Sequence, residues 1–159
     1  MPGNYQVRLK AGSQTLTQPL RIVADPKSQA ATADLREQFD LLIALRDKVS
    51  ATHDAVNDIR KLLATLPGQG GGAAVERLRA GLEAVLKELV ELRFAGFDDQ
   101  MLVFDLKLNN RMAALQNYVA QGDYAPTEQQ YGVFKELSVA IDNALARYRT
   151  LKAQMPATR

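Results

Sequence analysis

The chain has 159 residues, of which 47% are hydrophobic and 24% charged, a composition typical of one globular domain with a real core. It contains no cysteine, which excludes disulfides and thiolate zinc sites. No run approaches the roughly 18 consecutive apolar residues of a membrane span. The net charge is +2, with +3 in residues 1–31 and −1 in the remainder. The helical body therefore lacks the basic face that nucleic acid requires.

Residues 4–24 have the two-residue period of a strand that is buried on one face. A turn is predicted at 11–13, where Gly12 can adopt a positive φ. On each side of it the apolar residues are separated by an even number of positions, so that they lie on one face of a strand. These residues are Tyr5, Val7 and Leu9 before the turn and Leu16, Leu20 and Ile22 after it. The pattern predicts a β-hairpin with one apolar face. Pro19 cannot donate a ladder hydrogen bond, so the second strand is expected to be an edge strand or to be bulged.

A lone hairpin is only marginally stable in water. Its apolar face is therefore predicted to pack on the helices or to pair with another chain. A two-fold homodimer that joins two hairpins is one closed arrangement of this kind.

A long helix is predicted over residues 32–66, because its apolar spacing alternates between three and four. The stripe consists of Leu42, Leu45, Val49, Thr52, Val56, Ile59, Leu63 and Leu66. Thr32 is the predicted N-cap, and Asp34 favours the positive end of the helix dipole. Pro67 and Gly68 end the helix. At 1.5 Å per residue the helix is roughly 50 Å long, so several other helices must lie along it.

Three further helices follow, over residues 73–94, about 105–120 and 127–155. The last begins at a T-x-x-Q capping box, Thr127 to Gln130, and ends at Pro156. The inward stripe of the second helix consists of Val75, Leu78, Leu82, Val85, Leu89 and Leu92. That of the third helix consists of Leu108, Met112, Leu115 and Val119. That of the fourth helix consists of Phe134, Leu137, Ile141, Leu145, Tyr148 and Met155.

The predicted fold is mainly α, an antiparallel up-down four-helix bundle preceded by a short N-terminal β-hairpin. Residues 1–26 form the hairpin and residues 27–159 the bundle. Because the second helix spans only roughly 33 Å, part of the first helix is expected to extend beyond the bundle, or a bent third segment to cap it.

Candidate chemistry is sparse. His53 is the single histidine, and a di-iron bundle requires two, so a surface histidine is the favoured interpretation over a metal ligand. Asp98 and Asp99 are a possible acid–base pair, but they follow a glycine at a helix break, where acids usually serve as turn or capping groups. Asn109 and Asn110 either bind a ligand or hydrogen-bond to a neighbouring helix or backbone group, and the second interpretation is favoured.

Two other patterns resemble binding motifs. Tyr118, Tyr124, Tyr131 and Tyr148 are interpreted as bundle and loop packing, because stacking on nucleic acid needs a basic groove beside the rings. The glycines at 70–72 lack the lysine and hydroxyl of a phosphate loop and are interpreted as a linker. No catalytic residue, metal site or cofactor is predicted.

Several segments are similar to a known family. Residues 2–9 (PGNYQVRL), 17–20 (TQPL) and 25–26 (DP) resemble the last two strands of an immunoglobulin-like sandwich. That sandwich lies near the C-terminus of bacterial proteins with sortilin-like, BNR-repeat β-propellers, often labelled glycosyl hydrolases. Residues 108–115 (LNNRMAAL) and 126–131 (PTEQQY) resemble the helical tail of the same proteins.

The resemblance implies a non-catalytic C-terminal structural or interaction module, whose partner is the upstream propeller and sandwich of a larger protein. The residues leave the compartment open, and the resemblance favours an exported parent protein, periplasmic or extracellular. Family members carry an N-terminal propeller with any Asp-box repeats, which this chain lacks, so no glycosidase residue is carried over. The alternatives are an independent small-ligand or metal-binding bundle, or an enzyme whose site the residues do not reveal.

Overall fold

The computed structural model describes residues 1–68, 71–93 and 104–155. These residues form strands β1 (Gly3–Ala11) and β2 (Gln14–Ile22) and helices α1 (Thr32–Thr65), α2 (Gly72–Leu89), α3 (Leu108–Val119) and α4 (Glu128–Ala153). Helices account for 63% of the described part. The predicted class, a mainly α bundle of four helices preceded by a β-hairpin, is confirmed.

The helix starts follow local hydrogen bonding. Thr127 caps α4 as predicted, since its hydroxyl accepts from the Gln130 backbone N–H at 3.2 Å and the Gln130 side chain accepts from the Thr127 N–H at 2.9 Å. The N-cap of α1 is Ala31 rather than the predicted Thr32. The Asp34 carboxylate accepts the Ala31 N–H at 2.9 Å, so the acidic first turn replaces a capping hydroxyl.

Several helix bounds differ from the prediction. Helix α2 ends at Leu89, where Val90 turns to extended backbone. Leu92 consequently falls outside the helical period and is 55% exposed rather than buried. Helix α3 begins at Leu108, three residues later than expected. Helix α4 ends at Ala153, with Gln154 as its C-cap, whereas the prediction carried it to Pro156, a residue outside the described part.

Helices α1 and α4 run in the same direction. Lys48 Nζ of α1 lies 2.7 Å from an Asp142 carboxylate oxygen of α4, and Lys152 Nζ of α4 lies 2.6 Å from Asp58 of α1. Both pairs join residues that are 94 positions apart, as is expected of two helices in parallel register.

Helices α2 and α3 run antiparallel to both long helices and follow each other along α1. Gln38, near the start of α1, contacts Val119 at the end of α3. Gly81 of α2 lies directly against Leu151 near the end of α4, where a Cβ would meet that side chain at 2.8 Å. The succession of α2 and α3 covers α1 along its length, so the expectation that part of α1 extends beyond the bundle is wrong. The other expectation, a bent third segment that caps the bundle, stays a prediction, because part of that segment lies outside the described residues.

The core lies where these helices meet. Three mid-stripe residues from different helices, Val56, Leu82 and Ile141, are 7%, 0% and 0% exposed, as the predicted stripes require. All four predicted inward residues of α3 are also buried. The other large side chains that are almost fully enclosed are Leu45, Ile59, Leu89, Met112, Val119 and Leu137.

The hairpin is regular. Its strands are antiparallel, and the register runs from Gly3 opposite Ile22 to Ala11 opposite Gln14. Gly12 has φ of 57°, whereas Ser13 does not have a positive φ, which identifies a two-residue type II′ turn with glycine in the first position. Pro19 lies opposite Gln6 in an uninterrupted ladder, so the bulge considered for β2 does not occur.

Candidate interaction surface

One face of the hairpin is apolar and exposed. Residues opposite each other in the ladder point to the same face, and one such set carries Tyr5, Val7, Leu9, Leu16, Leu20 and Ile22. Their exposed fractions range from 42% for Tyr5 to 63% for Leu16. Six large apolar side chains on a two-stranded ribbon of this kind form a surface that usually marks an interaction site.

The hairpin does not pack on the bundle, because every residue of β1 and β2 is exposed. Only its base approaches α1, where Ile22 and Val23 border a cleft of about 270 Å³ whose other side includes Leu35 and Phe39. The alternative in which the helices cover the apolar face is therefore wrong. The physical reason is that the inward stripe of α1 is already buried against α2, α3 and α4.

The opposite face is polar and basic. It carries Asn4, Gln6, Arg8, Lys10, Thr15, Thr17, Pro19 and Arg21. Residues 1–24 contain no aspartate or glutamate, so the three cations have no acidic partner within the hairpin. The hairpin is thus amphipathic, with an uncovered apolar face and an uncompensated positive face.

The candidate residues from the sequence are not brought together. His53 is exposed on α1, whereas Asn109 and Asn110 are half-buried in the first turn of α3. Asp98 and Asp99 lie outside the described residues. His53 and the two asparagines line none of five clefts that lie among the described residues. The described ranges also contain no group of three or more His, Asp or Glu side chains that could hold a metal ion.

The favoured interpretation of Asn109, a hydrogen bond to a neighbouring helix or backbone group, stays a prediction for its side-chain oxygen. Asn109 Oδ1 is buried and has no hydrogen-bond partner within the described part of the chain. This oxygen needs a donor, but the backbone N–H groups of the neighbouring helices are engaged in their own helical hydrogen bonds.

Of the four tyrosines interpreted as packing residues, Tyr148 alone is in the core. Tyr118, Tyr124 and Tyr131 are exposed. The Tyr124 hydroxyl donates to the Tyr118 carbonyl oxygen at 3.1 Å, which holds the loop after α3 close to the end of that helix.

The main polar cluster between helices joins α1 to α4. The Asp58 carboxylate accepts hydrogen bonds from the Lys152 ammonium and the Tyr148 hydroxyl. The bonds from Lys152 and Tyr148 lower the pKa of Asp58. Burial, and then the bond to Asp58, raise the pKa of Tyr148. Because two donors of α4 bond to one carboxylate of α1, the cluster ties the two helices together.

This tie predicts an acid-sensitive contribution to stability. Because the pKa of Asp58 is lowered from its ordinary 3.8, the contribution is present above that value and is lost as the pH falls through the folded-state pKa. We expect Asp58→Asn to lower the free energy of unfolding near neutral pH, and the difference from the parent chain to shrink below about pH 4. Urea titrations at about pH 7 and about pH 3 measure this, with Asp54→Asn as the control for net charge. An equal difference at both pH values would contradict the tie.

No helix among the described residues is long and apolar enough to cross a membrane. Comparison with protein-family models, with curated proteins and with solved structures finds no match for this chain.

Proposed function

We propose that the chain is a non-catalytic structural or interaction module whose hairpin completes a β-sandwich supplied by another part of a larger protein. The observation that carries this proposal is the exposed apolar face of the hairpin, with its six large side chains. In this role the bundle is a self-contained body, and the hairpin is the segment that joins it to its partner.

The free energy of burying apolar side chains favours a partner that covers this face of the hairpin. Burying a large apolar side chain contributes about 1.5–3 kcal/mol relative to leaving it exposed. The six side chains are already about half covered, so a partner sheet would contribute roughly 1 kcal/mol for each of them. Several kcal/mol of association free energy are therefore available at this face, whereas the isolated ribbon is marginal.

The partner is proposed from the resemblance of these segments to the end of an immunoglobulin-like sandwich and its helical tail. The proposed partner is the upstream sandwich and propeller of a sortilin-like, BNR-repeat protein. The engagement of Asp58 by two donors agrees with a non-catalytic role, since that carboxylate is a poor general base.

The direct test is binding. The chain is titrated with the separately expressed propeller and sandwich of a protein of the resembling kind, and the affinity is measured by calorimetry. We expect association, and we expect Val7→Thr combined with Leu9→Thr to weaken it at least about tenfold. The matched control is Asn4→Thr combined with Gln6→Thr, which alters the opposite face of the same strand and should change the affinity by less than about twofold. Absence of binding by the parent chain would contradict the proposed partner.

A second assay tests the non-catalytic role. The purified chain is incubated with a panel of glycosides, and we expect no turnover. Glycoside hydrolysis usually requires two carboxyl groups about 5–9.5 Å apart across a sugar site. Hydrolysis that disappears in Asp98→Asn and Asp99→Asn variants would overturn the proposal.

A further inference from the structure

The two free edges of the hairpin differ in their backbone groups. In an antiparallel ladder, hydrogen-bonded pairs alternate with pairs whose N–H and C=O groups point outward. Ala11 and Gln14 close the two-residue turn as a hydrogen-bonded pair, so the outward-pointing pairs are every second rung from Lys10–Thr15 onward.

Pro19 falls in one of these outward-pointing pairs, opposite Gln6. Its ring therefore removes no bond between β1 and β2, but it leaves a missing donor in the middle of the outer edge of β2. The outer edge of β1 has no such interruption, since residues 3–11 contain no proline. A new strand can consequently form a complete ladder on β1 but not on β2.

The positive charges on β1 indicate which residues an added strand should carry. The outward-pointing residues of β1 include Arg8 and Lys10, whose side chains lie on the basic face. Side chains directly across a ladder interact, and opposite charges there are favourable. A strand added to β1 is thus favoured when its residues on this face are acidic and its alternate residues, on the other face, are apolar.

A second copy of the chain fits poorly. Each hairpin carries three cations and no acidic residue, so pairing two hairpins would double an uncompensated charge.

We infer that the free edge of β1 is the docking site for an extended segment that alternates acidic and apolar residues. The segment forms a ladder with the backbone of Asn4, Gln6, Arg8 and Lys10 and places its acidic side chains beside Arg8 and Lys10. This inference rests on the proposed function, because it specifies which edge of the hairpin the partner extends.

A tethered probe tests the edge without the natural partner. Ten residues that alternate valine and glutamate are fused through a flexible linker of about ten glycine and serine residues before Met1, which raises the effective concentration of the weak probe strand. Amide hydrogen exchange is followed by NMR. We expect the amides of Gln6, Arg8 and Lys10 to exchange at least about tenfold more slowly than in the unfused chain, and those of Thr15 and Thr17 to change less than about twofold.

Three matched variants sharpen the test. Replacing each probe glutamate with lysine should remove the slowing, because the like charges would then oppose Arg8 and Lys10. Gln6→Pro removes an outward-pointing N–H donor from β1 and should also abolish the slowing of amide exchange. Thr17→Pro removes the corresponding donor from β2 and should leave the slowing at β1 unchanged. Equal slowing at both edges, or slowing by the lysine probe, would overturn the inference. So would a concentration-dependent dimer of the unfused chain that protects the same β1 amides.

The two proposals fail separately. Loss of propeller binding with the β1 edge still protected by the glutamate probe would contradict the proposed partner alone. Propeller binding that protects the amides of β2 instead of β1 would contradict the edge assignment alone.

Discussion

Leu82→Ala is expected to lower the free energy of unfolding by about 2–5 kcal/mol. Leu82 is fully buried at the middle of α2, the helix that packs against both α1 and α4. Truncation removes three carbons from a site enclosed by two long helices. These helices cannot easily collapse into the cavity, because each is also held along its length by other contacts. The loss therefore includes the transfer free energy of the removed atoms and the free energy of the cavity.

Urea titration measures this loss, and Leu92→Ala provides the control. Both substitutions remove the same atoms, but Leu92 is 55% exposed just after the end of α2. Its replacement should change the free energy of unfolding by no more than about 0.5 kcal/mol. Losses of similar size at the two positions would show that the stripe of α2 does not face a packed core.

Gln38→Met is expected to lower the free energy of unfolding by about 1–3 kcal/mol. The Gln38 amide donates to the carbonyl oxygens of Val119 and Gly122, each at 2.8 Å. It thereby satisfies groups at the end of α3 and in the following turn, where Gly122 has φ of 75°. Methionine has nearly the same length and shape but no donor, so both carbonyl oxygens lose their partner while the packing is retained.

The effect should be local as well as global. Amide exchange at the last turn of α3 is expected to accelerate more than exchange in α2, because the lost bonds hold the end of α3 to α1. Gln129→Met is the matched control, since Gln129 is exposed in the first turn of α4. A change of less than about 0.5 kcal/mol in Gln38→Met would mean that water satisfies these carbonyl groups equally well.

These results bear on function through the separation of the bundle from the hairpin. The bundle has its own core, its own caps and its own tie between α1 and α4. The hairpin contributes none of these, and its side chains remain available to a partner. Variants on the hairpin should therefore alter association with little change in bundle stability. Variants such as Leu82→Ala should instead lower bundle stability with little change in association.

The amino-acid sequence by itself determined the local elements. The three-four spacing specified the inward residues of α3 and most of those of α1, α2 and α4. Thr127 with Gln130 specified the start of α4, and Gly12 with the two-residue period specified the hairpin. These signals are readable because capping, periodicity and turn conformation depend on residues that are at most a few positions apart.

Tertiary structure alone decided how the elements combine. Periodicity shows which face of a helix is buried but not which helix covers it, so the succession of α2 and α3 along α1 was not predicted. Gln38 reads as an ordinary polar residue of α1, and its partners lie 81 and 84 positions away. The same holds for Asp58, whose partners Tyr148 and Lys152 come from the far end of the chain. The exposed apolar face of the hairpin was equally undetermined, because alternation specifies a face to be covered and the three-dimensional packing decides whether this chain covers it.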